Sequence, residues 1–532
     1  MHTKNSTNHK QPSNGTSLRA GVGKVDITAT AGERSYALYP KQAMAHIPPQ
    51  YREQRVEIAD PLYVRALVLD DGIKQTVIVT LDCCAIAART TSQFILYDNP
   101  DDFMPRLRLR VENELGISGD NISVSASHTH PPGRLLCDEE EQISRTLAAI
   151  RQARDSLTPV TIGTGSGHET TLTMNRTLMM KDGTDYSWTP EAPGDEIERQ
   201  RPIDPEIGIV RIDRFDGTPL AVLYNFASHL LVGCRQGKIT ADFPGVTSRY
   251  IETTLGGDVT AIFLQGANGD IFEAAYYDRN NPRTKEDFGY RLGRSLLTAY
   301  RTIETRPVEV RVSTRHVSLP LRRDIPDRVA AIRRQQAERV ASLRYVKLNF
   351  KTFLPLYLNH KLHPNFPGHT PQRYLAADTC GDETFRMVDV RNENDIKQYL
   401  NGMRVMEWLA IEEHLIGTLA KHQEIIETLG GEQVPAEIKG IRIGESVFVA
   451  APIEMVAEIG FRVKRLSPFR QTWVISNSNG YLHYAAPADY YPRGGYEVTE
   501  CLLAPEWEAV FMETVRQIFE ELADPNAPAP QV

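Results

Sequence analysis

The stretch Asn121-Ile-Ser-Val-Ser-Ala-Ser-His-Thr-His130 combines a β-type run with two histidines at its end. Ile122 and Val124 alternate with small polar residues, which predicts a strand over Asn121–Ala126. Similar β-type runs predict further strands at Gln75–Leu81, Ala221–Ala227, Val259–Leu264, Ser446–Ala451 and Thr472–Ser476. Amphipathic helical patterns lie between them, for example over Thr247–Thr254 and Gly289–Ile303. This alternation predicts an α/β fold with a mixed β-sheet core and surrounding helices.

The sequence between residues 322 and 429 differs from its surroundings because it is charged and helical in pattern. A first helical run leads into a predicted loop with four prolines, Pro355, Pro364, Pro367 and Pro371. A second helical run covers Asp395–Leu429, and Gly430 follows it as a C-cap glycine would. We interpret residues 322–429 as a helical insertion in one domain that spans residues 19–524. Residues 1–18 are predicted to be a disordered tail and residues 525–532 a flexible one.

Composition narrows the class of protein. The 532 residues are 41% apolar and 24% charged, with a net charge of −8, which excludes a disordered, collagen-like or coiled-coil chain and indicates no nucleic-acid binding. Six cysteines cannot build a disulfide framework, and we interpret all six as reduced residues that pack in the core. The N-terminus lacks the apolar stretch of a secretory signal, and no window approaches the roughly 18 apolar residues of a transmembrane helix. These features favour the cytoplasm.

Several predicted strands run directly into polar side chains. The carboxyl ends of strands in α/β sheets open into the crevice where ligands bind, so we expect these groups to converge. They are His128 and His130, His229, Gln265, Asn268 and Asp270, Glu454, and the group Asn477, Asn479, Tyr481, His483 and Tyr484.

His128 and His130 share one face if their segment is extended, so both imidazoles could meet one metal ion or one substrate. Together with His229 and Glu454 they offer histidines and a carboxylate, a donor set that suits zinc with an open position. In the alternative interpretation His229 caps a helix and Glu454 is a solvated residue at a helix start. Spacing alone does not decide between the two.

At these residues the chain resembles the catalytic domain of the neutral/alkaline non-lysosomal ceramidase family. The resemblance runs from Ala20 to about Glu520. It is carried by short motifs in the same order, namely His128-Thr-His130, Met174-Asn-Arg176, Phe226-Ala-Ser-His229, Ala241-Asp-Phe-Pro-Gly245, Gln265-Gly-Ala-Asn-Gly-Asp270, Ala451-Pro-Ile-Glu454, Asn479-Gly-Tyr-Leu-His-Tyr484 and Gly495-Tyr-Glu497.

The resemblance implies a zinc site and a catalytic pocket. The family's zinc ligands fall on His128, His229, Glu454 and Tyr484. Its pocket residues fall on His130, Arg176 and Tyr496. In such a site zinc lowers the pKa of bound water, Arg176 and Tyr496 stabilise an oxyanion, and His130 carries the proton to the leaving group.

Two positions depart from the family pattern. Phe272 stands where ceramidases carry a serine, and the His-Thr-His motif continues as Pro131-Pro-Gly-Arg134 where the family has small residues. An arginine near the metal suits a polar or anionic substrate better than two long acyl chains.

The leading hypothesis is therefore a zinc-dependent hydrolase that cleaves a linear amide, or an ester, in a small-molecule or lipid-like substrate. One alternative is a true ceramidase that hydrolyses N-acylsphingosine to sphingosine and fatty acid. Another is a non-catalytic metal- or carbohydrate-binding protein of the same fold, and a third is a different metal-assisted reaction such as glycoside cleavage. A homo-oligomer is compatible with the sequence.

Overall fold

A computed structural model describes residues 18–28, 57–88, 102–130, 139–187, 194–233, 238–256, 258–274 and 283–523. The predicted tails lie outside these ranges, apart from Leu18, which is buried. Contacts divide the chain into two units, one comprising Met1–Arg322 with Ile425–Val532 and the other Arg323–Glu424.

The larger sheet of the first unit has eight strands within the described residues. In chain order they are β1 (Arg19–Asp26), β2 (Tyr63–Asp70), β3 (Gln75–Leu81), β4 (Ile122–Ala126), β5 (Thr158–His168), β10 (Glu206–Arg214), β11 (Pro219–Phe226) and β12 (Thr260–Gln265). They lie in the order β12-β11-β10-β5-β1-β2-β3-β4, and only the β11/β12 and β3/β4 pairs are parallel. The sheet is therefore mixed, as predicted.

Helices cover one face of this sheet. They are α1 (Phe103–Leu115), α2 (Glu139–Asp155), α3 (Asp242–Leu255) and α4 (Lys285–Tyr300). Leu107 and Ile150 belong to the apolar core beneath α1 and α2, whereas Phe243 and Leu292 belong to the core beneath α3 and α4. The contact between α2 and β1 is close, because a Cβ atom on Gly23 would lie 2.0 Å from the Ala149 carbonyl oxygen.

A second sheet packs against the first, which the sequence analysis did not anticipate. Its strands are β14 (Val310–Pro320), β15 (Gln433–Ile443), β16 (Ser446–Ala450) and β18 (Gln471–Ile475), in that order. One apolar cluster joins the two sheets and contains Ile162 and Leu223 from the first with Phe448 and Trp473 from the second. Helices α9 (Ala457–Leu466) and α11 (Trp507–Ala523) pack in a further cluster with the second sheet. The first unit therefore has four layers, helix, sheet, sheet and helix.

Short elements lie near the ends of the long strands. The strands are β6 (Thr173–Asn175), β7 (Leu178–Met180), β8 (Asp185–Tyr186), β9 (Ile197–Gln200), β13 (Ile271–Glu273), β17 (Glu454–Met455) and β19 (Tyr484–Ala485), and helix α10 covers Tyr496–Thr499. Strand β17 pairs with β19 in parallel, and β13 pairs with β6 in antiparallel orientation.

The second unit is helical and contains no strand. Its helices are α5 (Ile325–Ser342), α6 (Phe350–Leu362), α7 (Pro371–Thr379) and α8 (Thr384–Leu429), the last of which continues into the first unit. Pro355 lies inside α6, so the loop predicted there is wrong. The Asn349 side chain caps this helix by accepting from the backbone N–H of Thr352, and Phe353 stacks on Tyr399 of α8 at a centroid distance of 4.4 Å. This packing and cap outweigh the one backbone hydrogen bond that a proline removes.

Among the described residues, no helix is long and apolar enough to cross a membrane. The cysteines Cys83, Cys84, Cys380 and Cys501 in this part of the chain are free, and all are buried as predicted except Cys380, which is exposed.

Candidate metal centre

Two histidine-bearing segments lie side by side at the end of the larger sheet. His128 follows β4 and His229 follows β11, and a parallel bridge between Thr129 and Leu230 aligns the segments. The imidazole centroids of His128 and His229 are 4.9 Å apart as a result. His128 has a φ of 69°, an uncommon conformation for a residue with a side chain.

The short pair β17 and β19 brings two more oxygen donors to the same place. Its register sets Glu454 opposite Tyr484. The backbone N–H of Gly269 donates to the Met455 carbonyl at 2.7 Å, and a Cβ atom on Gly269 would lie 3.0 Å from the Glu454 carbonyl oxygen. Glycine thus permits the segment after β12 to approach β17 closely.

His128, His229 and Glu454 form a compact buried group. Their ligand atoms all lie within 4.8 Å of one another, and each of the three residues is at most 2% exposed. The Glu454 Oε2 atom is 3.4 Å from Nε2 of both histidines. The Tyr484 hydroxyl lies 3.3 Å from His229 Nε2, so the structure brings all four predicted ligands together.

The hydrogen bonds at the outer side of this group orient its inner atoms toward one another. His128 Nδ1 lies 2.8 Å from the Cys84 carbonyl, and His229 Nδ1 lies 2.8 Å from the Asn268 carbonyl. A carbonyl can only accept, so both Nδ1 atoms carry hydrogen, and the neutral form of each imidazole then presents a lone pair on Nε2. Tyr481 donates to Glu454 Oε1, whereas the buried Oε2 has no hydrogen-bond partner. An unpartnered carboxylate oxygen facing two imidazole lone pairs is the donor set that a cation satisfies.

The electrostatics of the group favour the ligand forms. Burial lowers the pKa of His229 to about 4, so its imidazole is neutral at neutral pH. Burial alone raises the pKa of the Glu454 carboxyl, but His128 and His229 outweigh it and hold that pKa well below its usual range. The site therefore combines a neutral His229 imidazole with an ionised Glu454 carboxylate, which are the forms that bind a metal.

The low pKa of His229 predicts an acid-sensitive metal-free protein. Between pH 6.5 and about pH 4 the unfolded chain protonates this imidazole and the folded chain does not, so stability rises with pH across that window. We expect His229 to contribute about 3 kcal/mol of stability at pH 7 that is lost by pH 4. Urea unfolding of the metal-free protein and of His229→Gln at both pH values checks this. If the difference in unfolding free energy between wild type and His229→Gln is the same at pH 7 and pH 4, the prediction is wrong.

His130 lies beside the group rather than within it. Its Nε2 is 3.1 Å from His128 Nε2, and the two rings meet edge to face at 4.5 Å. Burial, followed by the neighbouring His128 and His229, lowers the pKa of His130 well below its usual value. A neutral imidazole at this place is able to accept a proton.

Arg176 is held rigidly at the other side. Its Nε donates to Glu497 Oε1 at 2.6 Å and its Nη2 donates to the Gly269 carbonyl at 2.7 Å. The guanidinium carbon lies 4.5 Å from the ring centroids of Phe272 and Tyr496 and 5.3 Å from that of Tyr484. The predicted pocket residues Arg176 and Tyr496 are therefore in contact. Burial raises the pKa of Tyr496, which keeps its hydroxyl a donor at neutral pH.

Four residues of the site had no predicted role. Cys84 places its Sγ 3.7 Å from both His128 Nδ1 and His130 Nε2, Phe272 contacts His229 at a centroid distance of 5.1 Å, and Tyr481 and Glu497 hold Glu454 and Arg176. Cys84 follows β3, and His128 follows β4, which pairs with β3 in parallel. The expectation that polar side chains after strand ends converge could therefore have identified Cys84. Arg134 lies outside the described residues.

Solved structures share this architecture. A ceramidase complexed with C2 and the neutral ceramidase from Pseudomonas aeruginosa each match with a TM-score of 0.61 and 16% sequence identity, over 97% of this chain and 77% of theirs. No protein-family model matches the chain, and no curated protein matches it significantly. The chain therefore has a ceramidase-like fold, which confirms the fold that the sequence resemblance implied.

Proposed function

We propose that the protein is a zinc-dependent hydrolase that uses water to cleave a linear amide, or an ester. The observation that carries the proposal is the buried, unpartnered Oε2 of Glu454 facing the Nε2 atoms of His128 and His229. With Tyr484 these residues would hold the metal. Zinc in such a site lowers the pKa of coordinated water to about 7 and polarises a carbonyl. We expect the cleaved bond to be an amide because the solved structures that share the fold are ceramidases.

The chain's own residues have separable roles in this reaction. His130 accepts a proton from water as the water oxygen forms a bond to the carbonyl carbon. Arg176 and the Tyr496 hydroxyl donate toward the oxyanion that develops on the carbonyl oxygen. When the carbon–nitrogen bond breaks, His130 delivers the proton to the leaving nitrogen, so the products are a carboxylic acid and an amine.

Rigid placement of the oxyanion donors supports these roles. Arg176 is fixed by Glu497, by the Gly269 carbonyl and by the flanking rings, so little reorganisation is needed as charge develops. Burial keeps Tyr496 protonated and His130 neutral, which are the forms that a donor and a base require.

A true ceramidase is the second candidate, because the solved structures that share the fold are ceramidases. Phe272, which stands where ceramidases carry a serine, argues for a substrate other than ceramide. Its ring packs between Arg176 and His229, where it narrows the space beside the proposed reaction centre. A short-chain labelled ceramide tests this candidate directly.

The experiment that tests the proposal is a product screen. The purified protein is incubated with a panel of N-acyl amides, the matching esters and a short-chain ceramide, and carboxylic acid products are measured by mass spectrometry. We expect release from at least one amide, loss of release with a chelator, and recovery with added zinc. Release that survives complete metal removal would overturn the metal-dependent mechanism.

His130 gives a sharper test once a substrate is found. We expect His130→Asn to lower kcat about 100-fold or more while the metal content stays that of wild type, because His130 moves protons and lies outside the ligand group. His363→Asn, an exposed histidine beyond α6, is the matched control and should leave both quantities unchanged. Loss of metal together with rate would reassign His130 as a ligand.

A further inference from the structure

The helical unit Arg323–Glu424 exposes an unusual amount of apolar surface. Among the described residues 17 large apolar side chains are exposed, and 12 of them belong to this unit. Scattered exposed apolar residues are normal on a protein surface, but a concentration on one element indicates a binding surface.

Helix α6 carries the most regular part of this surface. Phe350, Leu354, Leu358 and Leu362 follow one another at intervals of four residues and are 60%, 40%, 45% and 70% exposed. Residues four apart in a helix lie on the same face, so these side chains form one stripe, here named the outer stripe.

The face of α6 beside the outer stripe is already occupied. Phe353 is buried and stacks on Tyr399 of α8, and Tyr357 stacks on Phe353 at 5.4 Å. A helix with two apolar faces needs a partner on each, and in the described part of the chain α6 has one only on the face that carries Phe353.

Positive charge surrounds the outer stripe. Lys351 and Lys361 fall within the same third, roughly, of the helix circumference as the stripe. Neither they nor Lys347 forms an ion pair with an acidic side chain in the described part of the chain. From Arg328 to Arg373 the sequence has nine lysine and arginine residues and one acidic residue, although Arg333 and Arg339 pair with Glu413 and Glu412 of α8.

We propose that the outer stripe of α6 docks onto an anionic lipid bilayer, with the helix in the plane of the interface. Apolar side chains flanked by lysines match such a surface, which offers acyl chains beneath a negatively charged headgroup layer. A second copy of this chain, although it is acidic, does not offer the outer stripe an apolar layer beneath a continuous layer of negative charge. The inference goes beyond the proposed hydrolysis and does not depend on it, because docking is measured without turnover.

Vesicle flotation tests the proposal with the 532-residue chain. We expect the protein to float with vesicles of phosphatidylcholine and phosphatidylserine at low salt. Binding to pure phosphatidylcholine should be weaker by about fivefold for each lysine that faces the membrane, and added salt should abolish the difference.

Two variants and one control make the assignment specific. Leu358→Glu should weaken binding at least tenfold, and Lys361→Glu should weaken binding to the anionic vesicles alone. Ile73→Glu is the matched control, because Ile73 is 89% exposed in the turn between β2 and β3 and should have no effect. Both α6 positions are exposed, so circular dichroism melting curves should match those of wild type.

Three results would overturn the proposal. The first is that the wild-type protein does not float with anionic vesicles at low salt. The second is that Leu358→Glu and Lys361→Glu are folded and float as well as wild type. The third is that neither wild type nor Leu358→Glu binds vesicles, while wild type is a dimer and Leu358→Glu is a monomer. The last result would assign the outer stripe to a second copy of the chain.

Discussion

We expect the wild-type chain to purify with about one zinc per chain and His229→Ala to purify without it. His229 supplies one of the two imidazole donors, its Nδ1 is fixed by backbone carbonyls, and its Nε2 faces Glu454 and Tyr484. Alanine removes the donor and leaves the Glu454 carboxylate with one imidazole neighbour. Elemental analysis of both proteins after gentle purification measures the loss, and hydrolysis should disappear with it.

The ligand assignment is tested further by Glu454→Ala and His363→Ala. The first removes the carboxylate and should also abolish metal binding. The second removes an exposed histidine of the helical unit and should keep the wild-type metal content. Equal metal in wild type, His229→Ala and Glu454→Ala would refute the proposed centre and favour a protein without this site.

Arg176→Met is expected to destabilise the protein by about 3–5 kcal/mol, because it leaves the Glu497 carboxylate buried without its cation. The two side chains are each 5% exposed and joined at 2.6 Å, so solvent screens neither charge. Glu497→Gln should cost a similar amount, since it isolates the guanidinium. Urea unfolding monitored by circular dichroism measures both values.

The double variant separates this pair from general disruption. Arg176→Met with Glu497→Gln removes both charges and should cost less than the sum of the single changes. Arg306→Met breaks the Arg306–Glu445 ion pair, whose side chains are 64% and 51% exposed, and should cost about 1 kcal/mol or less. If Arg176→Met lowers the free energy of unfolding no more than Arg306→Met does, the buried Arg176–Glu497 pair stabilises the fold no more than an exposed pair.

Local chemistry explains which elements could be predicted from sequence. The predicted strand Gln75–Leu81 coincides with β3 because a tight turn precedes it, with Gly72 at a φ of 87° and Asp71 accepting from the Lys74 backbone. The helix predicted at Gly289–Ile303 begins earlier, at Lys285. The missed signal was the capping box of Thr284 and Asp287, which satisfies the backbone at the helix start.

Long-range pairing explains much of what could not be predicted. Strands β14 and β15 pair over their whole length although more than 100 residues separate them in the chain, and no local pattern specifies that register. The same limit applies to the site. Sequence motifs and the family resemblance identified the residues that meet, but the contacts of Cys84 and Glu497 depend on how distant strands align.

The donor atoms of the candidate centre are spread widely along the chain, from His128 to Tyr484 of 532 residues. A nascent chain is synthesised from its N-terminus at about 5–20 residues per second, so Glu454 and Tyr484 are made well after His128 and His229. His128 and His229 follow strands of the larger sheet. Glu454 and Tyr484 follow β16 and β18, which are strands of the second sheet. A ribosome-bound fragment can therefore form the larger sheet without forming the centre, and any enzymatic activity has to wait until Tyr484 has been synthesised.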